Sequence, residues 1–325
     1  MLYPLKLKPV YKPKPWGGRT LKTRFHKKIP DGKIGESWEL CCRNDGMSVV
    51  AAGKLQGKTL KELIGAYREK LVGTRVYEKY GSDFPLFFKI LDAAGRLSVQ
   101  VHPDDACARR SGLPHGKDEM WYVIGTKGNA SLIYGLKGGT SKEQLNRAID
   151  HHRILPLLNE VAVKPGDFFS IPAGTVHAIL GGILIAEIQQ NCNTTYRLYD
   201  WDRTDQNGKK RELHIPQALE AIRFGGETPQ APFPAAAKTK GGAVVRPGPK
   251  VKEFRVDEVR LDGSIENRSD PESFQVVMDL DGDGKIQYGP ACDGLDAGDT
   301  VLIPSCLGKY SVSGGAKLLY THIEQ

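Results

Sequence analysis

The stretch GDFFSIPAGTVHAI, Gly166 to Ile179, decides how this chain is read. A Gly-Asp turn leads into a short apolar run that Pro172 ends, and a tight Pro-Ala-Gly turn then delivers His177. The first half occurs twice: residues 165–171 read PGDFFSI and residues 297–303 read AGDTVLI, each followed by proline. The continuations differ. The first carries His177, whereas the second runs on as SCLGKYS with no histidine. One β module is therefore used twice, with polar machinery only in the first copy. The spacing GxxxxxPxGxxH in that copy is a metal-binding pattern of β-barrels.

Strand signals dominate the remainder. Runs such as FPLFFKIL, LSVQVH, MWYVI, ASLIYGL, GILIAEIQQ and SFQVVMDL are separated by turn residues. The expected fold class is mainly all-β, two β-barrel modules with a few short helices. TLKELIGAYREKL sets Leu60, Leu63, Ile64, Tyr67 and Leu71 on one helical face, with Thr59 and Glu62 spaced as a capping box. A second helix is expected over Ser141–Ile149, where Thr140 and Glu143 repeat the box, and a third from Pro216 to Ile222. Residues 224–250 have the Gly, Pro and Ala content of a linker. The expected organisation is a metal-binding module over 1–225 with a helical insertion at about 59–82, a linker over 226–250, and a degenerate module over 251–325.

Composition narrows the function. The chain has 325 residues, 40% apolar and 26% charged, ordinary for a globular protein. No apolar run approaches the ~20 residues that cross a bilayer. The start, MLYPLKLKPVYKPKPWGG, is basic and proline-broken, unlike a signal peptide. Six cysteines without CxxC spacing suit reduced thiols in a cytoplasm. The net charge of +8 raises a nucleic-acid partner, but the cations are scattered, with no aromatic-interleaved stripe. A basic surface equally steers a small anionic substrate.

In SVQVHPDD, residues 98–105, Gln100 and His102 share one strand face. If that face is interior, each unpaired polar group costs roughly 1–3 kcal/mol, and a metal ion satisfies both. HGKDEMWYVIG adds Glu119 at the head of a strand. With His177 these residues offer two imidazoles, a carboxylate and an amide oxygen, a set suited to Zn and also to Mn, Co or Fe(II). In TYRLYDWDR, Arg197 can point into a pocket beside the metal or pair with Asp200 or Asp202 at the surface. Lys117 shares the Glu119 face, and a cation beside a metal ligand is costly unless an anion visits. DLDGDG, residues 279–284, opens like a calcium loop, but Pro290 stands where the bidentate glutamate belongs, so a hairpin turn is expected.

GDFFSIPAGTVH resembles the second metal motif of the cupin superfamily. The first motif is altered, with Gln100 where cupins usually have histidine and Glu119 delayed by an insertion. That Gln-x-His variant resembles the type I mannose-6-phosphate isomerases of the short bacterial class. The likeness runs through YKPKPWGGRTL, GESW, FPLFFKILDAAGRLSVQVHPDD, HGKDEMWYVI, PAGTVHAI and IAEIQQNCNTTYRLYDWDR. It implies cupin (jelly-roll) barrels and one zinc ion per chain, held by Gln100, His102, Glu119 and His177. It implies Arg197 as the catalytic arginine, Lys117 and Glu187 as further participants, Trp16, Glu36 and Ser98 in the sugar pocket, and Arg203 at the phosphate. Gly181 replaces an asparagine usual in cupins, without loss of a ligand. The implied partner is a small phosphorylated sugar, with no nucleic acid or membrane and a monomer or weak dimer as the assembly.

Two other readings compete. His102, Glu119 and His177 alone make the triad of a non-haem iron dioxygenase, although Gln100 and the nearby cations argue against it. A non-catalytic, sugar-binding or regulatory cupin is the second, opposed by the retained arginines and intact ligand set.

Overall fold

Leu86–Ala93 (LFFKILDA) is a strand buried along its whole length, and its burial explains the architecture. In the computed structural model, which describes residues 2–205, 207–225, 231–233 and 236–323, this strand lies inside a six-stranded antiparallel sheet. The order is Phe168–Ile171, Glu119–Thr126, Ile183–Gln190, Leu86–Ala93, Val10–Gly18, Ile34–Leu40. Its inner face meets a five-stranded sheet ordered Leu158–Val163, Ala130–Leu136, His177–Ile179, Val99–Val101, Tyr196–Tyr199. Leu91, Trp121 and Ile185 pack there against Leu132, Tyr134 and Ile179. The outer face gives Phe88, Ile90, Met120 and Ile188 to a core that Phe254, Val276, Met278 and Leu319 complete. A sheet covered on both sides needs no polar face, so its central strands read as largely apolar runs, interrupted at positions such as Lys89 and Glu187.

The C-terminal part is a nine-stranded sheet carried by Phe254–Arg268, Gln275–Tyr288 and Lys309–Ile323. Leu5–Lys8 joins it, pairing with Thr300–Ile303 so that Leu5 faces Leu302. The sequence echo is a structural one. Asp167 Oδ2 accepts from Lys164 N and Asp299 Oδ2 accepts from Asp296 N, each at 2.9 Å, and Gly166 and Gly298 both take positive φ. The same Asp-closed turn thus starts the strand in both copies.

The helical insertion forms as Leu60–Tyr67, Glu69–Val72 and Thr74–Tyr80, with the Thr59–Glu62 capping box present. It docks on the C-terminal sheet, where the Val72 carbonyl accepts from Phe274 N. A Cβ on Gly73 would come 2.2 Å from the Glu272 backbone. The later helices differ by a residue from expectation, Lys142–Asp150 and Ile215–Ala221. The first is capped by Ser141 and Gln144, because the Thr140 hydroxyl donates instead to the Lys137 carbonyl. Asp105–Arg110, a helix not expected, is capped by Asp104 and follows shortly after the strand Val99–Val101 that bears Gln100.

Two readings need correction. Of the expected linker, residues 226–230 and 234–235 lie outside the described residues, but Lys238–Lys240 and Ala243–Val251 are strands of the nine-stranded sheet. Pro247 is tolerated because the register shifts there, and Gly248 is required because a Cβ would sit 2.1 Å from the Val256 carbonyl. DLDGDG is a bulge inside Gln275–Tyr288 rather than a hairpin turn. Asp279 Oδ1 accepts from Asp281 N across the bulge.

Candidate metal centre and substrate cavity

His177 and Gln100 lie opposite each other on neighbouring strands, and Arg197 lies opposite Gln100 on the next. Directly paired residues of antiparallel strands share a face, so the five-stranded sheet presents His177, Gln100 and Arg197 as one row. Glu119 approaches from the six-stranded sheet. His102, Glu119 and His177 bring one donor atom each within 4.8 Å of one another, and all three are buried. Each imidazole is aimed by a backbone carbonyl: His102 Nδ1 donates to Thr194 O and His177 Nδ1 to Thr175 O, both at 2.9 Å. A carbonyl only accepts, so Nδ1 carries the proton and each Nε2 keeps a lone pair toward Glu119. Nε2 of His102 is 3.4 Å and Nε2 of His177 3.8 Å from the carboxylate.

The electrostatics suit a bound cation. Burial pushes the His102 imidazole down to about 3, with Lys117 adding to it, and burial lowers His177 as well. Both rings are therefore neutral, as ligands must be. Burial alone would raise Glu119, but the Lys117 ammonium beside it holds it well below the usual carboxylate range. Neither Glu119 oxygen accepts a well-formed hydrogen bond. A buried carboxylate so placed, between two imidazole lone pairs, is the donor set of a cation site. The C-terminal module adds no comparable His, Cys, Asp or Glu cluster among the described residues.

The site opens into a cavity of about 310 Å³. Gln100 and Lys117 line the cavity and touch His177 and Glu119, and Trp16, Glu36, Ser98, Glu187 and Arg197 complete its predicted lining. Lys117 Nζ lies 2.6 Å from Glu119 Oε1 and 3.1 Å from His102 Nε2. Glu187 accepts from Lys89 Nζ at 2.8 Å and Trp121 Nε1 at 2.9 Å. Burial, reinforced by Glu119, pushes its carboxyl up. Arg203 is not in the lining. It pairs with the Asp200 carboxylate and donates to the Asp200 and Arg96 carbonyls.

Lys14, Lys89, Arg211 and His214 also line the cavity and were missed. Lys89 and Asp92 interrupt an apolar strand, but no alternation there marks which face each takes. Lys14 and Arg211 arrive from distant segments, and no local pattern marks them.

The phosphomannose isomerase type I catalytic-domain model matches residues 4–129. Mannose-6-phosphate isomerase ManA of Bacillus subtilis is 39% identical over 98% of this chain and 99% of its own. The mannose-6-phosphate isomerase of Streptococcus mutans is 36% identical over 99% of both chains. The crystal structure of the Bacillus subtilis mannose 6-phosphate isomerase superposes with a TM-score of 0.90 at 35% identity, over 99% of this chain and all of that one. Phosphomannose isomerase of Salmonella typhimurium shares the fold, with a TM-score of 0.82 at 16% identity. With full-length relatives above a third identical and the family's catalytic model matched over its N-terminal part, this chain belongs to the type I phosphomannose isomerases.

Proposed function

We propose that the protein interconverts mannose 6-phosphate and fructose 6-phosphate by proton transfer through an enediolate, with one zinc ion held by Gln100, His102, Glu119 and His177. The carrying observation is the convergence of the His102–Glu119–His177 cluster with a cation-rich cavity. Ligation by Gln100 turns its amide, since Nε2 now faces His177 Nε2 at 3.2 Å while Oε1 accepts from Ser98. Zinc bound there, balanced by one carboxylate, would supply Lewis-acid stabilisation of oxygen charge.

The chain's own residues do the rest. Glu187 is a carboxyl whose pKa burial and Glu119 push up, a property suited to holding a proton. Lys117 brings a positive charge between the ligands and the cavity, where oxygen charge develops. Arg197 adds a second cation to that wall. Trp16, Glu36 and Ser98 bound the sugar. The C-terminal module acts as scaffold, since its apolar face completes the core behind the six-stranded sheet. Full-length relatives are named as isomerases, so neither the dioxygenase nor the non-catalytic reading is favoured.

A coupled assay for fructose 6-phosphate formation tests this. Turnover should vanish after dialysis against a strong chelator and return with zinc. Activity indifferent to chelator would refute the metal role, and no turnover with metal restored would refute the isomerase reading.

A further inference from the structure

We propose that Arg211, together with Arg197, forms the clamp for the substrate's phosphate, and that Asp200 fixes Arg211 in place. The inference rests on the isomerase reading and replaces Arg203 as the phosphate residue.

Charge and hydrogen bonding both point to it. Asp200 is buried and is shared by two guanidinium groups, Arg203 and Arg211. Arg203 directs Nε, Nη1 and Nη2 to protein acceptors. Arg211 gives Nε and Nη2 to Asp200, the first at 2.7 Å. Its Nη1 has no partner among the described residues, and Arg211 lines the cavity where Arg203 does not. A guanidinium pinned along one edge presents its other edge in a fixed direction, which suits a phosphate oxygen.

Arg197 is the second half. Its Nε is buried without a partner, and Nη1 reaches the Glu212 carbonyl only at 3.5 Å. Burial and the neighbouring Arg211 charge both lower its pKa, as happens when two cations are held together without enough counter-charge. The adjacency is built in: Arg197 N donates to His214 Nδ1 and His214 N donates to the Arg197 carbonyl, which ties residues 211–214 to the strand. Gln100 stands between Arg197 and His177 in the row across the sheet. Strands lie roughly 5 Å apart, so Arg197 stands about one strand from Gln100 and two from His177, near enough to serve both the reacting end and the phosphate of one sugar phosphate.

The test is steady-state kinetics with mannose 6-phosphate, with inorganic phosphate as competitive probe, on Arg211→Met, Arg211→Lys and Arg203→Met. Arg211→Met should raise KM and the phosphate inhibition constant by roughly 10- to 100-fold, the scale of one lost charge-assisted contact. Its kcat should stay within about threefold of the parent. Arg211→Lys should recover part of the loss, and Arg203→Met should change KM less than Arg211→Met. Should Arg211→Met leave both constants within twofold, or Arg203→Met exceed it, the clamp is wrong. If the parent does not turn over, calorimetric titration with inorganic phosphate still decides: equal affinity in parent and Arg211→Met overturns the proposal independently of the isomerase reading.

Discussion

Replacing Asp279 by asparagine should make this protein more stable. Asp279 is fully buried in the bulge of Gln275–Tyr288, and Oδ2 has no hydrogen-bond partner. Burial first, then the charges of Asp299, Asp281 and Asp283, push its carboxyl from 3.8 up to about 8. Between those values the folded state holds a proton that the unfolded chain has released. Its contribution to stability is thus complete below pH 3.8 and is lost as pH rises through about 8. At pH 7 the loss is roughly 4 kcal/mol, from some three pH units at 1.36 kcal/mol each. Asparagine imitates the protonated acid, and its oxygen can still accept from Asp281 N. Its amide N–H stays unpaired at a cost of roughly 1–3 kcal/mol. The net gain near pH 7 is about 1–3 kcal/mol, or about 2–6 °C in Tm. Thermal unfolding of parent and Asp279→Asn at pH 5, 7 and 8.5 checks this. The gain should nearly vanish at pH 5 and be largest at pH 8.5. An asparagine variant no more stable at pH 8.5, or equally stabilised at pH 5, would refute the reasoning.

Breaking the Lys89–Glu187 pair, both side chains 5% exposed, by Lys89→Met should cost about 3–5 kcal/mol, because it strands a buried carboxylate. Lys89→Met with Glu187→Gln should recover much of that in denaturant titration, and an unaltered midpoint in the single variant would contradict the pairing. In metal-stripped protein, the lowered His102 and His177 favour the neutral folded state. Stability should therefore fall as pH drops below 6.5, by up to about 1.4 kcal/mol per pH unit for each ring; a flat profile from pH 6.5 to 5.5 would exclude it. A chain ending near Phe224 should be insoluble or molten, since it exposes the core face that Phe254, Val276 and Leu319 cover. A soluble, fully active fragment would remove the scaffold role.

The parts of this molecule legible in the sequence are those encoded by short-range chemistry. The Gly-Asp turn before Phe168 fixes a strand start, the Pro-Ala-Gly turn places His177, and period two puts Gln100 with His102. Thr59 and Glu62 cap their helix because the box is three residues long. Long-range arrangement was less legible. Leu86–Ala93 conceals Lys89 because a strand buried on both faces loses the alternation that would distinguish inward from outward. The resemblance, and its distance along the chain from His177, point to Arg203 for the phosphate, and no local pattern marks Arg211. In the fold, Asp200 draws Arg203 onto protein acceptors, while the Arg197–His214 hydrogen bonds bring Arg211 to the cavity. Ala243–Val251 has linker composition but becomes a strand because its partner Phe254–Arg268 returns alongside it.

The most direct measurement sets the parent beside His177→Ala, with zinc per chain by elemental analysis and fructose 6-phosphate formation recorded on the same samples. The account predicts about one zinc and full turnover in the parent and loss of both in the variant, since His177 is one of the four proposed ligands and is fully buried. A His177→Ala protein that keeps stoichiometric zinc and full turnover would contradict it.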